Sequence, residues 1–86
     1  MECSVEISMY PLNKEYVEAI TAFILGLRKH PFINLETNGM STQVFGEYDK
    51  VMKAINHEMK ISFQKGEKVV FNLKVINSQL QENPTI

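Results

Sequence analysis

Asn38-Gly39-Met40-Ser41-Thr42-Gln43-Val44-Phe45-Gly46-Glu47 decides how this chain folds. A turn glycine, two small hydroxyls and a second glycine stand between runs of strand-compatible residues, the pattern of a β-hairpin. Glycine tolerates positive φ at little cost and lets a ligand approach the backbone closely. The first arm runs from Phe32 or Ile33 to Asn38, with Ile33 and Leu35 alternating with Asn34 and Glu36. The return arm runs from Ser41 to Glu47. No other predicted rigid element carries so many polar groups, so any specific chemistry is expected here.

Both flanks of the hairpin read as helix. On the N-terminal side, Tyr16, Ile20, Phe23, Ile24 and Leu27 recur at helical spacing and form one apolar stripe. Asn13 offers a capping oxygen and Glu15 suits the positive end of the dipole. Arg28, Lys29 and His30 suit the negative end, and Pro31 stops the helix. On the C-terminal side, Tyr48-Asp49 opens a second helix with Asp49 as the expected cap. Its stripe is Val51 or Met52, Ile55, Met59 and Phe63, and Lys65-Gly66 closes it.

Each helix is enclosed by strands. Val5, Ile7 and Met9 alternate with Ser4, Glu6, Ser8 and Tyr10, and Pro11 ends that run. Val69 to Ile76 is β-branched and apolar on its odd positions. The order β-α-β-β-α-β predicts a ferredoxin-like α+β fold, a four-stranded antiparallel sheet with two helices on one face. The first and third strands are expected at its centre. Val5, Ile7, Met9, Val69, Phe71, Leu73 and Val75 are expected to face the helices. Residues 1–78 form the expected domain, and residues 79–86 a short polar tail that frays.

Composition narrows the function. Eighty-six residues, 44% of them hydrophobic, suit one domain. A domain this small buries only about 60–65% of its unfolded surface, which favours a homo-oligomer, a dimer or a tetramer. The uncovered sheet face would carry Tyr10, Val70 and Ile76 amid polar neighbours, a mixed surface suited to sheet-to-sheet packing. Nine basic and ten acidic residues are interleaved at net charge −1, leaving no footprint for nucleic acid or an anionic membrane. A single cysteine, Cys3, allows no intramolecular disulfide. The opening residues carry no signal-peptide pattern, and no apolar run approaches the roughly 20 residues of a membrane span. A cytoplasmic protein is the expectation.

Cys3, His30 and His57 are the soft metal ligands, and no two have the spacing of a metal motif, so no metal site is expected. His30 reads instead as a partner of the helix dipole. Cys3 has no base encoded beside it. A copper chaperone of this fold needs a cysteine pair where this chain has Pro11-Leu12-Asn13. An RNA-binding version needs exposed aromatics on the central strands, for which Tyr10 and Phe45 alone are available. Small dimeric oxygenases and isomerases of this fold need a His, Asp or Arg in the cavity between sheet and helices. The inward strand positions here are almost wholly apolar. A protein–protein regulatory module is the third class.

The runs Ser8-Met9-Tyr10-Pro11-Leu12, Asn38-Gly39-Met40-Ser41-Thr42 and Val44-Phe45-Gly46-Glu47-Tyr48-Asp49-Lys50-Val51-Met52 together resemble the small thiamine-binding protein family. The resemblance extends from Val5 to Ile76 in the same element order. It implies non-catalytic binding of thiamine or its hydroxymethylpyrimidine moiety, with no cofactor. It also implies assembly into dimers and tetramers, and a role as carrier, buffer or sensor in thiamine uptake or salvage. The expected ligand contacts are Ser8, Tyr10, Asn38, Met40, Ser41, Thr42, Phe45 and Glu47. Hydroxyls and amides match the donors and acceptors of an aminopyrimidine, and Met40, Phe45 and Tyr10 could wall its ring. Side chains alternate across a strand, so Ser41 and Thr42 cannot both serve one face, and Thr42 is the preferred donor. The family commonly carries an acidic residue where this chain has Phe45. That departure implies altered affinity, a different ligand or an aromatic substitute.

Overall fold

β1 (Glu2–Pro11) lies between two antiparallel partners and organises the sheet. The computed structural model describes residues 1–81. After β1 come α1 (Tyr16–Arg28), β2 (Ile33–Thr37), β3 (Thr42–Glu47), α2 (Tyr48–Gln64) and β4 (Val69–Ile76). The strand order β2-β3-β1-β4 puts the first and third strands at the centre, as the ferredoxin-like reading requires. β1 pairs with β3 from Glu2↔Glu47 to Ile7↔Thr42. It pairs with β4 from Ser4↔Ile76 to Pro11↔Val69.

Alternation along β1 sends Cys3, Val5 and Ile7 beneath the helices. They close a core with Val44 of β3, Phe23 and Leu27 of α1, and Val51, Ala54 and Ile55 of α2. Met9, Phe71 and Leu73 are partly buried against it, and the Phe23 and Phe71 rings lie 4.9 Å apart. Val75 faces the same side opposite Val5 yet remains 49% exposed. The helices lie chiefly over β1, β2 and β3, and β4 is an edge strand that they do not cover to its end.

Both helix starts differ from the sequence expectation. α1 begins at Tyr16 after Glu15, which makes no side-chain cap, and the buried Asn13 Oδ1 has no hydrogen-bond partner. Asn13 lies two residues too early to reach the first free amides. At α2 the cap is Glu47, whose Oε2 accepts the Lys50 N–H at 3.2 Å, and Asp49 is inside the first turn. β3 runs into α2 without a loop, so its last extended residue takes the capping position. Gly46 allows this junction. Its φ is +154°, and a Cβ there would lie 3.1 Å from the Phe32 carbonyl oxygen and 3.3 Å from Val51 Cγ2. Lys65 and Gly66 close α2 as expected, with Gly66 at φ +87°.

The segment expected to fray is tied back at its start. Ser4 Oγ donates to the Ser78 carbonyl at 2.7 Å and accepts the Leu80 N–H at 3.0 Å. These bonds hold residues 78–80 over the face opposite the helices, beside Ser4 and its strand partner Phe45. Residues 82–86 of the expected tail lie outside the described residues.

Leu27 is fully buried between α1 and the sheet, so Leu27→Ala should cost about 2–5 kcal/mol in chemical denaturation. Leu25→Ala, on the exposed side of the same helix, should change stability by less than about 0.5 kcal/mol. Similar losses for both would contradict the assigned helix face. Ser4→Ala should remove two hydrogen bonds worth about 0.5–1.5 kcal/mol each. Amide exchange at Leu80 should then accelerate, and unchanged exchange would mean that Ser4 does not hold the segment.

Candidate functional site

The β2–β3 turn is built by Asn38. Its Oδ1 accepts the Met40 N–H at 2.8 Å and the Ser41 N–H at 3.2 Å, while its own N–H donates to the Ser41 carbonyl at 3.1 Å. This side-chain-locked turn needs no positive φ at Gly39, which lies outside that region. The carboxamide oxygen is thereby committed, leaving the Asn38 amide NH2 available.

Beyond the turn, Ser41 and Thr42 part as strand alternation requires. Ser41 Oγ donates to Glu6 Oε2 at 3.0 Å on the outer face, where Lys74 Nζ lies 3.6 Å from Glu6 Oε1. Thr42 is buried on the helix side opposite Ile7, its Oγ1 3.3 Å from Thr37 Oγ1.

β1 outruns β3, and the overhang makes a recess. The last β1·β3 pair is Ile7↔Thr42, whereas β1·β4 pairing continues to Pro11. The Leu12 N–H bonds Lys68 and the Tyr48 N–H bonds Met1, so even β1 positions bond β4 and odd ones β3. Met9 therefore aims its N–H and C=O toward the hairpin with no strand opposite. Between this overhang, the hairpin and α1 lies a cavity of about 230 Å³. It is walled by Ile7, Ile20, Phe23 and Ile24, with Thr37 and Thr42 at one side.

Six of the eight expected contacts border this recess: Ser8, Tyr10, Asn38, Met40, Ser41 and Thr42. Met40 is 88% exposed at its rim. Phe45 and Glu47 do not border it. Phe45 faces the outer side of β3 opposite Ser4, only 2% exposed, beside a separate 350 Å³ depression with Ile76 and Leu80. Glu47 is occupied at the α2 start. The sequence reading missed Ile20, Phe23 and Ile24 as walls, since a helical apolar stripe reads as core. It missed Thr37 too, although alternation on β2 places it opposite Thr42.

Among the described residues, no carboxylate, lysine, arginine or histidine borders the recess, so these residues offer it no charged group and no general base of those types. Cys3 is fully buried, and that burial, with the nearby Glu2 and Glu47 carboxylates, pushes its thiol above the ordinary range. A raised thiol pKa lowers the thiolate fraction and makes Cys3 a poor nucleophile. His30, at the end of α1, has a partner besides the helix dipole. Its Nε2 lies 2.7 Å from Glu58 Oε2 of α2.

The thiamine-binding protein family profile matches residues 5–84, and the chain belongs to that family. Among solved structures, a hypothetical protein from Methanocaldococcus jannascii is 25% identical, with a TM-score of 0.78 over 96% of this chain and 87% of its own. A Streptococcus pneumoniae protein is 20% identical, with a TM-score of 0.83 over 93% and 90%. A Thermotoga maritima protein described as a "putative thiamine biosynthesis/salvage protein" is 19% identical, with a TM-score of 0.79 over 91% and 85%. No curated protein matches this sequence significantly. None of the helices among the described residues is long and apolar enough to cross a membrane.

Native Cys3 should react with a disulfide reagent about tenfold or more slowly than in the urea-unfolded chain. Its rate should keep rising at pH values above those that saturate a free thiol. Equal native and unfolded rates at neutral pH would contradict the burial and the direction of the shift.

Proposed function

We propose that this protein binds thiamine, or its hydroxymethylpyrimidine half, in the recess beneath the hairpin and leaves the ligand chemically unchanged. One observation carries the reading: in a chain of the thiamine-binding family, the recess is apolar-walled, free of charged side chains among the described residues and edged by hydroxyl, amide and open backbone groups. An aminopyrimidine needs such a mixture, apolar faces for the ring and a few directional partners for its nitrogens. Thr42 supplies a hydroxyl, Asn38 its amide NH2, and Met9 an open N–H and C=O. Ile20, Phe23 and Ile24 flank the ring, with Met40 at the mouth. Ser8, Ser41 and Tyr10 act from the rim.

Size favours one ring inside. The 230 Å³ cavity is smaller than the roughly 300 Å³ at the low end of drug-sized ligand pockets. In this reading the pyrimidine is enclosed and a thiazolium, when present, lies toward Tyr10, whose aromatic face attracts a cation. Phe45 and Glu47 are left out of the proposed contacts. The absence of a charged acid–base group in the recess favours a carrier, buffer or sensor over an enzyme.

The working unit in this proposal is a cytoplasmic homo-oligomer of the 1–78 domain, a dimer or a dimer of dimers. Tyr10, Val70 and Ile76 are about half exposed on the face away from the helices, which supports sheet-to-sheet association there. Light scattering at micromolar concentration should return at least twice the 9.9 kDa chain mass, and the monomer mass would overturn this part.

Calorimetric titration with thiamine and with hydroxymethylpyrimidine tests the ligand. Thr42→Val keeps the shape and β-propensity, so it should weaken binding roughly 2- to 12-fold, the equivalent of one neutral hydrogen bond. A small change in melting temperature is expected from the lost Thr37 contact. Wild-type protein that binds neither compound would overturn the ligand assignment. Unchanged affinity in Thr42→Val would remove Thr42 from the site.

A further inference from the structure

The end of α1 meets the middle of α2 at His30, His57 and Glu58, which lie outside the ligand recess. His30 Nε2 is 2.7 Å and His57 Nε2 3.9 Å from Glu58 Oε2, and the three residues' donor atoms fall within 4.8 Å of one another. Glu58 is only 8% exposed. The fold makes room for its carboxylate at Gly26 of α1, where a Cβ would overlap Oε1 and lie 2.8 Å from Cδ.

A carboxylate at this depth needs compensation. Among the described residues, no lysine or arginine approaches Glu58 within salt-bridge distance; its ionic partners are the two histidines. Two neutral imidazoles and a carboxylate are the donor set of three-ligand zinc sites that keep a fourth position open.

We propose that His30, His57 and Glu58 form a site for one divalent transition-metal ion, with Zn²⁺ the best match to the donors. Zn–N and Zn–O distances near 2.0–2.2 Å put tetrahedral donors roughly 3.4 Å apart. The observed 2.7 and 3.9 Å separations straddle that value. His57 is 60% exposed in its side chain and free to close the third edge, its ring now edge-on to that of His30 at 5.6 Å. The bordering cavity, lined by Ala22, Leu25, Lys29 and Ile61, gives the ion an entry path and leaves room for water in the fourth position. Because α1 supplies the room and α2 two of the ligands, the bound ion would clasp the two helices.

The test uses the full chain without a polyhistidine tag, in a non-chelating buffer at pH 7.5. Calorimetry with ZnCl₂ should give one ion per chain, and Co²⁺ should produce the visible absorption of a four-coordinate site. His57→Ala alters an exposed side chain and should fold normally, yet weaken Zn²⁺ binding about tenfold or more. Zn²⁺ should raise the melting temperature of the wild type and not of this variant. No binding at 100-fold molar excess, or equal affinity in wild type and His57→Ala, would overturn the site. Neither result bears on the pyrimidine recess, so the two proposals fail separately.

Discussion

The ladder that holds β1 between β3 and β4 governs the rest of the molecule. It is one of the two central strands, joined to β3 over Glu2–Ile7 and to β4 over Ser4–Pro11, and its odd side chains form the floor of the core. Removing Val5 or Ile7 from water stabilises the fold by about 1.5–3 kcal/mol each, and both helices need that surface to bury their stripes. The register that achieves this leaves β1 longer than β3. The recess is a consequence of that mismatch: four residues of β1 run past Thr42, and the hairpin tip and α1 close over part of the space.

Much of this architecture was legible because two periodicities agreed with one topology. Alternation of two at Ser4–Tyr10 and Val69–Ile76, and helical spacing in both intervening runs, left little freedom. β4 is found at its expected bounds, and β1, β2 and β3 differ from theirs by two residues or fewer at each end. The helix starts were less legible. Asn13 and Glu15 stand near one and Glu47 and Asp49 near the other, and which oxygen reaches a free amide depends on where the preceding strand or turn delivers the chain. At α2 the delivery is direct from β3, so a glutamate took a role more common for Ser, Asp or Asn.

The recess was partly legible for the same reason. Turn chemistry located Asn38 and alternation separated Ser41 from Thr42, both short-range effects. Phe45 illustrates the limit. Its odd register with Ser41 announces the outer face, but its burial depends on residues 78–80 crossing that face, over thirty positions away. Local pattern carries no information about such a return. Glu58 was hidden likewise, since a glutamate within an amphipathic helix reads as solvent-facing until Gly26 on another helix is known to admit it.

These placements divide the chemistry of a very small protein into separate regions. Among the described residues, the ionic contacts lie on the outer sheet face, where Lys74 engages Glu6, and at the α1–α2 contact, where His30 and His57 engage Glu58. Among the described residues, no charged side chain borders the recess. A charge beside a neutral heterocycle would bring tightly held water that the ligand must displace, whereas hydroxyl, amide and apolar walls release water readily. In the proposed reading, selectivity there rests on shape and on which hydrogen bonds go unmade, because a buried donor or acceptor left without a partner costs more than a satisfied pair contributes. Under the same proposal the lock on Asn38 serves that end. By committing its oxygen to two backbone amides, the turn fixes the amide NH2 in place before any ligand arrives, so little ordering remains to oppose binding.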